Sequence, residues 1–90
     1  MGIDHNQSTI VAALRAAGAT VTILAGCGLP GVPDLLIGYG GHNLLMEIKN
    51  RSGRNRLSPV QVDWAKRWAG QVTVVYDEQD ALSVLYSTFE

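Results

Sequence analysis

The amino-acid sequence predicts an α/β fold in which a mixed four-stranded sheet is flanked by helices. Segments rich in β-branched and apolar residues alternate with segments whose apolar residues recur every three or four positions. Two of the apolar segments are separated only by Gly40-Gly41, which is typical of a hairpin. A helix then separates the third and fourth strands, as the crossover between parallel strands requires. The predicted order is αβββαβα.

The first predicted helix covers residues 4–17, because its apolar residues share one face and Gly18 is a typical helix end. Residues 20–24 form the first strand, since this run is rich in β-branched residues. Glycine and proline then predict an exposed loop over residues 25–33. No Lys-Ser or Lys-Thr follows its glycines, which excludes a phosphate-binding P-loop.

The hairpin joins the second and third predicted strands, residues 34–39 and residues 42–49. The third strand has little polar alternation, as expected in a sheet covered by helices on both faces. Residues 72–76 are again rich in β-branched residues and form the fourth strand. Asp77 is the expected cap of a last helix.

The second helix begins with an unusually complete start signal. Ser58 is the expected N-cap, Pro59 occupies the first helical position, and Gln61 completes a capping box. Gly70 is the expected helix end. The sequence leaves two interpretations of Gln61 open: its carboxamide caps the helix, or it reaches toward a metal site or a DNA backbone.

The composition indicates a compact globular chain. Hydrophobic residues make up 47% and charged residues 17% of its 90 residues, unlike a disordered chain. We expect no membrane span and no signal peptide, and the single cysteine, Cys27, fits a reducing cytosol.

On folding, a chain this short buries only roughly 60–65% of the surface that its unfolded form exposes. A homodimer is therefore expected, with Trp64 and Trp68 in the core or the dimer interface rather than stacked on bases.

The basic residues are concentrated in one part of the chain. The net charge is −1, yet six of the seven Lys and Arg residues lie between residues 49 and 67, where Asp63 is the single acid. They are Lys49, Arg51, Arg54, Arg56, Lys66 and Arg67. Such a surface attracts a polyanion such as DNA even on a near-neutral protein. The alternative is a solvated loop and helix face.

Charged side chains also interrupt the two central apolar strands. Glu47 and Lys49 are two residues apart, so on a strand they project from the same face, and Asp34 begins the neighbouring strand. Charge on an apolar strand is costly to bury without a partner. A divalent cation between Asp34 and Glu47 would remove that cost. The alternative is an aspartate that caps a turn and a Glu–Lys pair on a solvated strand face.

Pro33-Asp34 followed by Glu47-Ile48-Lys49 on an adjacent strand resembles the PD-(D/E)xK nuclease superfamily. Within it, three blocks in this order resemble the VRR-NUC family of virus-type replication-repair nucleases. They are Gly31-Val32-Pro33-Asp34-Leu35-Leu36, Met46-Glu47-Ile48-Lys49 and Leu57-Ser58-Pro59-Val60-Gln61. The resemblance covers nearly the whole chain. It implies a restriction-endonuclease-like αβββαβ core and one nuclease domain over residues 1–90.

The resemblance also implies a function. A member of this family consisting of the domain alone would be a metal-dependent endonuclease that hydrolyses phosphodiester bonds in DNA. It would act as a homodimer on branched DNA such as four-way (Holliday) junctions. The resemblance implies a cytoplasmic protein that a phage or a bacterium encodes.

The family's roles transfer by position onto this chain. Asp34 and Glu47 would be the carboxylate ligands of Mg²⁺ or Mn²⁺, and the carbonyl of Ile48 would be a further ligand. Lys49 would orient or deprotonate the attacking water and offset charge at the phosphate. Gln61 would match the family's glutamine on the helix after the basic loop. The side chains expected to grip phosphates without reading bases are Arg51, Arg54, Arg56, Lys66 and Arg67.

The first helix departs from the family, whose members usually carry a glutamate there that points into the site. The corresponding stretch, residues 4–8, has no glutamate, and Gln7 or Asn6 is closest by spacing. Gln7 would be an uncharged metal ligand, through its carboxamide oxygen. Two other functions therefore stay open: a DNA-binding module of this fold with weakened catalysis, and an unrelated α/β interaction domain whose charged pair is structural.

Overall fold

A computed structural model of the protein describes residues 5–50 and 57–88. Within these ranges the helices and strands follow the predicted order αβββαβα. They are α1 (His5–Ala16), β1 (Thr20–Ile23), β2 (Leu35–Tyr39), β3 (His42–Ile48), α2 (Pro59–Arg67), β4 (Thr73–Val75) and α3 (Glu78–Ser87). None of the described helices has the length and apolar character needed to cross a bilayer.

The four strands form a mixed sheet in the order β1-β2-β3-β4. β1 pairs antiparallel with β2, and β2 pairs antiparallel with β3, whereas β3 and β4 are parallel. α2 is the crossover between the parallel strands, because two parallel strands cannot be joined by a tight turn. The α/β class and the mixed four-stranded sheet predicted from the sequence are confirmed.

One face of the sheet, here called the core face, is buried. It carries Leu35, Ile37, Leu44, Met46 and Ile48. Helices α1 and α3 pack against each other and against the sheet on this side. Their buried residues are Ile10, Val11, Leu14, Ala81 and Leu85. The apolar stripes predicted for these helices therefore form the core, as their helical spacing indicated.

The opposite face, here called the open face, carries Leu36, Leu45 and Glu47, because side chains alternate along a strand and paired residues share a face. α2 lies beside it, and no residue of α2 is buried. Trp64 and Trp68 stack on each other, with their ring centroids 4.8 Å apart, and Trp68 is 46% exposed. Neither tryptophan belongs to the buried core, so the dimer-interface part of the expectation stays a prediction.

The strand ends near the site differ slightly from the predicted ones. Asp34 precedes β2, because the pairing of β2 with β3 stops at Leu35 and Met46. Lys49 follows β3, because the pairing of β3 with β4 stops at Ile48 and Val75. Pro33 contributes to this end, since proline has no N–H with which to continue the ladder. The two charged residues therefore lie where the strands stop pairing rather than inside them.

α2 begins as predicted and ends earlier than predicted. The capping box between Ser58 and Gln61 is present. The helix ends at Arg67 rather than at Gly70, because Trp68 adopts an extended backbone conformation. The predicted start of the first helix at residue 4 lies outside the described residues.

Candidate active site

Asp34 holds three strands together at the end of the sheet. Its carbonyl oxygen accepts hydrogen bonds from the N–H groups of Leu24 (2.7 Å) and Ala25 (3.2 Å), which follow β1. Its carboxylate Oδ2 accepts the N–H of Ile48 at the end of β3 (2.8 Å). The carboxylate therefore caps a strand rather than a turn, and it is held where the β2–β3 ladder stops.

Glu47 projects from β3 on the open face, and only 3% of it is exposed. Its Oε2 accepts a hydrogen bond from Nε2 of Gln61 (2.6 Å). The same oxygen lies 3.8 Å from Nζ of Lys49, whose side chain is 18% exposed. This ion pair confirms that Glu47 and Lys49 share a face. The pair is largely buried, so the alternative of a solvated strand face does not hold.

Burial raises the pKa of Glu47 from its ordinary value of 4.5 to about 8. The negative charge of Asp34 and a hydrogen bond with Asp34 act in the same direction, since two neighbouring carboxylates resist double ionisation. The charge of Lys49 and the hydrogen bond from Gln61 oppose the rise without cancelling it. Without a bound cation, Glu47 therefore holds its proton near neutral pH.

Gln61 caps α2, as one interpretation of the sequence predicted, and it also contacts Glu47, one of the two predicted carboxylate ligands of the metal. Its Oε1 accepts the backbone N–H of Ser58 (2.9 Å), while the backbone N–H of Gln61 donates to Oγ of Ser58 (3.3 Å). Its Nε2 donates to Glu47. One carboxamide thus caps α2 with its oxygen and holds the buried carboxylate with its nitrogen.

Gln7 is half-buried on the side of α1 that also carries Leu14. Among the described residues, no hydrogen bond joins Gln7 to the carboxylate of Asp34 or Glu47, which accept from the N–H of Ile48 and from Nε2 of Gln61. The role of Gln7 as a metal ligand therefore stays a prediction.

Asn6 connects α1 to the strands that end beside the site. Its Nδ2 donates to Oδ1 of Asn50 (2.8 Å) and to the carbonyl of Tyr76 (3.2 Å). Asn50 directly follows Lys49, so this bond ties the start of α1 to the end of β3. Sequence reasoning named Asn6 and missed Asn50, because a single asparagine in a polar loop carries no periodic signal.

Lys66 and Arg67 are exposed on α2 and lie away from Gln61. At 3.6 residues per turn they are about 140° and about 120° from Gln61 around the helix axis. Arg67 forms an exposed ion pair with Asp63, Nη2 to Oδ2 3.1 Å. The remaining basic residues of the predicted surface, Arg51, Arg54 and Arg56, lie outside the described residues.

Asp34 and Glu47 fit a divalent cation. Carboxylate oxygens are the ligands that Mg²⁺ and Mn²⁺ prefer, and a cation between them would remove the repulsion that raises the pKa of Glu47. Within residues 5–50 and 57–88, no group of three or more His, Cys, Asp or Glu side chains could hold a metal. Other ligands would therefore have to include main-chain oxygens, carboxamides or water.

A solved structure described as a VRR_NUC domain is similar to this chain. The TM-score is 0.69 and the sequence identity is 24%, and the match covers 89% of each chain. Comparison with sequence models of known families finds no match, and comparison with curated proteins finds none. The structural likeness shows that the two chains share a fold. At that level it confirms the resemblance inferred from the three sequence blocks.

Proposed function

We propose that residues 1–90 form one metal-dependent nuclease domain that hydrolyses phosphodiester bonds in DNA. The observation that carries the proposal is the meeting of Asp34, Glu47, Lys49 and Gln61 at one place on the open face. Two acids, an ammonium group and a carboxamide suit metal-assisted hydrolysis of a phosphodiester. The fold shared with a VRR_NUC domain supports the same conclusion.

In this proposal Asp34 and Glu47 hold one Mg²⁺ or Mn²⁺ ion. The N–H of Ile48 faces Asp34, and the carbonyl of a strand residue lies on the same side as its N–H. The Ile48 carbonyl is therefore suited to be a further oxygen ligand, and Gln7 would add only a neutral oxygen. A bound cation of this kind lowers the pKa of a coordinated water and offsets negative charge on the phosphate.

Lys49 and Gln61 complete the site from two sides of Glu47. The ammonium group of Lys49 is mostly buried beside the carboxylate, where its charge is screened less by water than at the surface. As an ammonium group it would orient the attacking water and stabilise charge on the phosphate. Only as the neutral amine would Lys49 deprotonate that water. Gln61 would keep the Glu47 carboxylate in one orientation through its short hydrogen bond.

Substrate binding would involve the basic surface outside this centre. Lys66 is exposed on α2, and Arg67 is exposed although paired with Asp63. Together with the basic residues of the 51–56 segment, these side chains would contact phosphates. Phosphate contacts position DNA without reading its sequence, so we expect binding that depends strongly on salt.

The test is cleavage of a labelled four-way junction and a linear duplex in Mg²⁺ or Mn²⁺, with EDTA as the metal-free control. Lys49→Ala is compared with the wild-type protein after circular dichroism has shown that both are folded. We expect cleavage by the wild type, no cleavage in EDTA, and a rate for the variant that is lower by about 10²-fold or more. Undiminished cleavage by Lys49→Ala would contradict the proposed site.

A second candidate function is a DNA-binding module without efficient catalysis. It is favoured by the small number of acidic groups, since Gln7 stands where a carboxylate is expected and the described residues provide no cluster of three metal-binding side chains. The same experiment separates the two functions. Binding of the junction without cleavage in either metal would support this candidate, and the absence of both binding and cleavage would exclude both.

We further propose that the protein acts as a homodimer on branched DNA. Two active sites related by two-fold symmetry can nick two strands of a four-way junction. The open face supports association, because a cavity of about 510 Å³ there has an apolar lining that includes Leu36, Leu45, Trp64 and Trp68. Light scattering at micromolar concentration should give the mass of a dimer, and a monomer mass would count against paired incisions.

A further inference from the structure

Gly31 makes an unusually close contact with α2. A side-chain Cβ at this position would lie 2.6 Å from the carbonyl oxygen of Val60 and 2.8 Å from Cβ of Trp64. Both distances are below van der Waals contact, and the carbonyl belongs to the backbone. Any residue other than glycine would therefore have to push the helix and the loop apart.

The contact is specific to Gly31 within its loop. Gly26, Gly28 and Gly31 all have positive φ angles, of 85°, 89° and 84°. A Cβ at Gly26 or Gly28 would meet nothing within 4 Å. All three positions favour glycine for backbone conformation, but among these three only position 31 also has no room for a side chain.

The contact joins two of the three segments that supply the site, the one with Asp34 and the one with Gln61. Gly31 lies three residues before Asp34, and Val60 directly precedes Gln61. α2 has no buried residue that would fix its position independently. The distance between loop and helix at Gly31 therefore contributes directly to where Gln61 lies relative to Glu47.

We propose that Gly31 is a positioning residue, whose missing side chain lets α2 approach closely enough for Gln61 to hold Glu47. The effect of Gly31 on catalysis rests on the proposed nuclease function. Its structural part, the dependence of the Gln61–Glu47 hydrogen bond on Gly31, is independent of that function. An added methyl group would displace the start of α2 and lengthen this bond.

The experiment compares Gly31→Ala with Gly28→Ala. The two variants carry the same strain of alanine at positive φ and differ in the space around the new methyl group. We expect Gly31→Ala to lower kcat for junction cleavage by about 10-fold or more, with little change in KM, because small displacements of catalytic groups are costly. Gly28→Ala should retain the wild-type kcat, and equal kcat values for the two variants would overturn the proposal.

A double-mutant cycle with Gln61→Ala tests whether Gly31 acts through Gln61. The loss caused by Gly31→Ala should largely disappear in the Gln61→Ala background, since two changes to one interaction are not additive. Additive losses would indicate general destabilisation and overturn the proposal. If Gly31→Ala does not fold in buffer, it is measured with the wild type and Gly28→Ala in an osmolyte such as TMAO or sucrose, which favours the folded state. A loss of kcat specific to Gly31→Ala that vanishes without Gln61 supports the proposal. The absence of such a loss, or failure of Gly31→Ala to fold even there, overturns it.

A measurement without metal or substrate separates this proposal from the proposed function. The side-chain NH₂ signals of Gln61 in the NMR spectrum report its hydrogen bond to Glu47. They should move toward the values of a free carboxamide in Gly31→Ala and stay in place in Gly28→Ala. If the wild type does not cleave DNA, the nuclease proposal fails while this measurement still decides the role of Gly31. Unmoved signals would overturn that role.

Discussion

The core face and the open face of the sheet differ in packing and in chemistry. Leu35 and Leu36 are neighbours in β2, yet Leu35 is fully buried on the core face and Leu36 is 39% exposed on the open face. α1 and α3 supply buried residues to the core face, whereas no residue of α2 is buried. The open face nevertheless holds Glu47, an ionisable side chain that is almost completely buried.

This difference indicates that the core face stabilises the fold and that the open face carries the candidate site. Apolar burial on the core face supplies the stabilisation that offsets the free-energy cost of holding two acids close together on the other face. The proposed centre would have to admit a cation and DNA, which a site sealed between two helices could not do. The less tightly packed side of a fold is also where local adjustment is easiest, and the candidate site lies on that side.

Asp34→Asn should produce the largest effect, and it should be confined to the open face. The carboxamide oxygen can still accept the N–H of Ile48, so we expect the fold to remain. Loss of the charge should lower the rate of metal-dependent cleavage by about 10²-fold or more. Single-turnover cleavage, with thermal unfolding as the control for folding, checks this. Cleavage within tenfold of the wild type would remove Asp34 from the site.

Leu35→Ala and Leu36→Ala compare the two faces at adjacent positions. Leu35→Ala leaves a cavity in the core and should lower the free energy of unfolding by about 2–5 kcal/mol. Leu36 is already partly hydrated, so its replacement should cost about 1 kcal/mol or less. Urea unfolding measures both values. Equal losses would mean that the open face is as tightly packed as the core face, for example because a partner subunit covers it.

Glu47→Gln should stabilise the metal-free protein above about pH 5. The pKa of Glu47 is raised in the folded state to about 8, so its contribution to stability is complete below its ordinary pKa of 4.5 and is lost as the pH rises to about 8. Glutamine has no proton to lose. Its advantage over the wild type should therefore grow between pH 5 and pH 8 to a few kcal/mol.

Unfolding in EDTA at several pH values tests this expectation, and a variant less stable than the wild type at pH 8 would contradict it. Mn²⁺ should make the wild type more stable than the glutamine variant at pH 8. It should raise the Tm of the wild type, because a ligand that binds only the folded state stabilises it. The glutamine variant should respond little, since it lacks one carboxylate ligand.

Ser58→Ala and Asp77→Ala remove the N-caps of α2 and α3, the helices on opposite faces. Each should lower the free energy of unfolding by about 1 kcal/mol, since each leaves a first-turn N–H without its side-chain acceptor. Ser58→Ala should also reduce cleavage by a few-fold, because the cap shares Gln61 with the site. Equal cleavage by both variants would show that α2 is positioned without its cap.

Much of the fold follows from local patterns. The helical stripes, the hairpin at Gly40-Gly41 and the capping box between Ser58 and Gln61 depend on residues close in sequence, and all are present as predicted. The shared face of Glu47 and Lys49 follows from the pleat of a strand. Element ends near the site were less predictable, because they depend on where two strands stop pairing.

The sequence by itself determined the order of the elements, the charged residues of the candidate site and the cap of α2, since these depend on periodicity and short spacings. The tertiary structure decided that Asp34 binds the end of β3, that Gln61 reaches Glu47, and that α2 leaves no room for a side chain at Gly31. These contacts join segments 14 or more residues apart. Their existence depends on strand register and on the distance between loop and helix, and no local pattern encodes either.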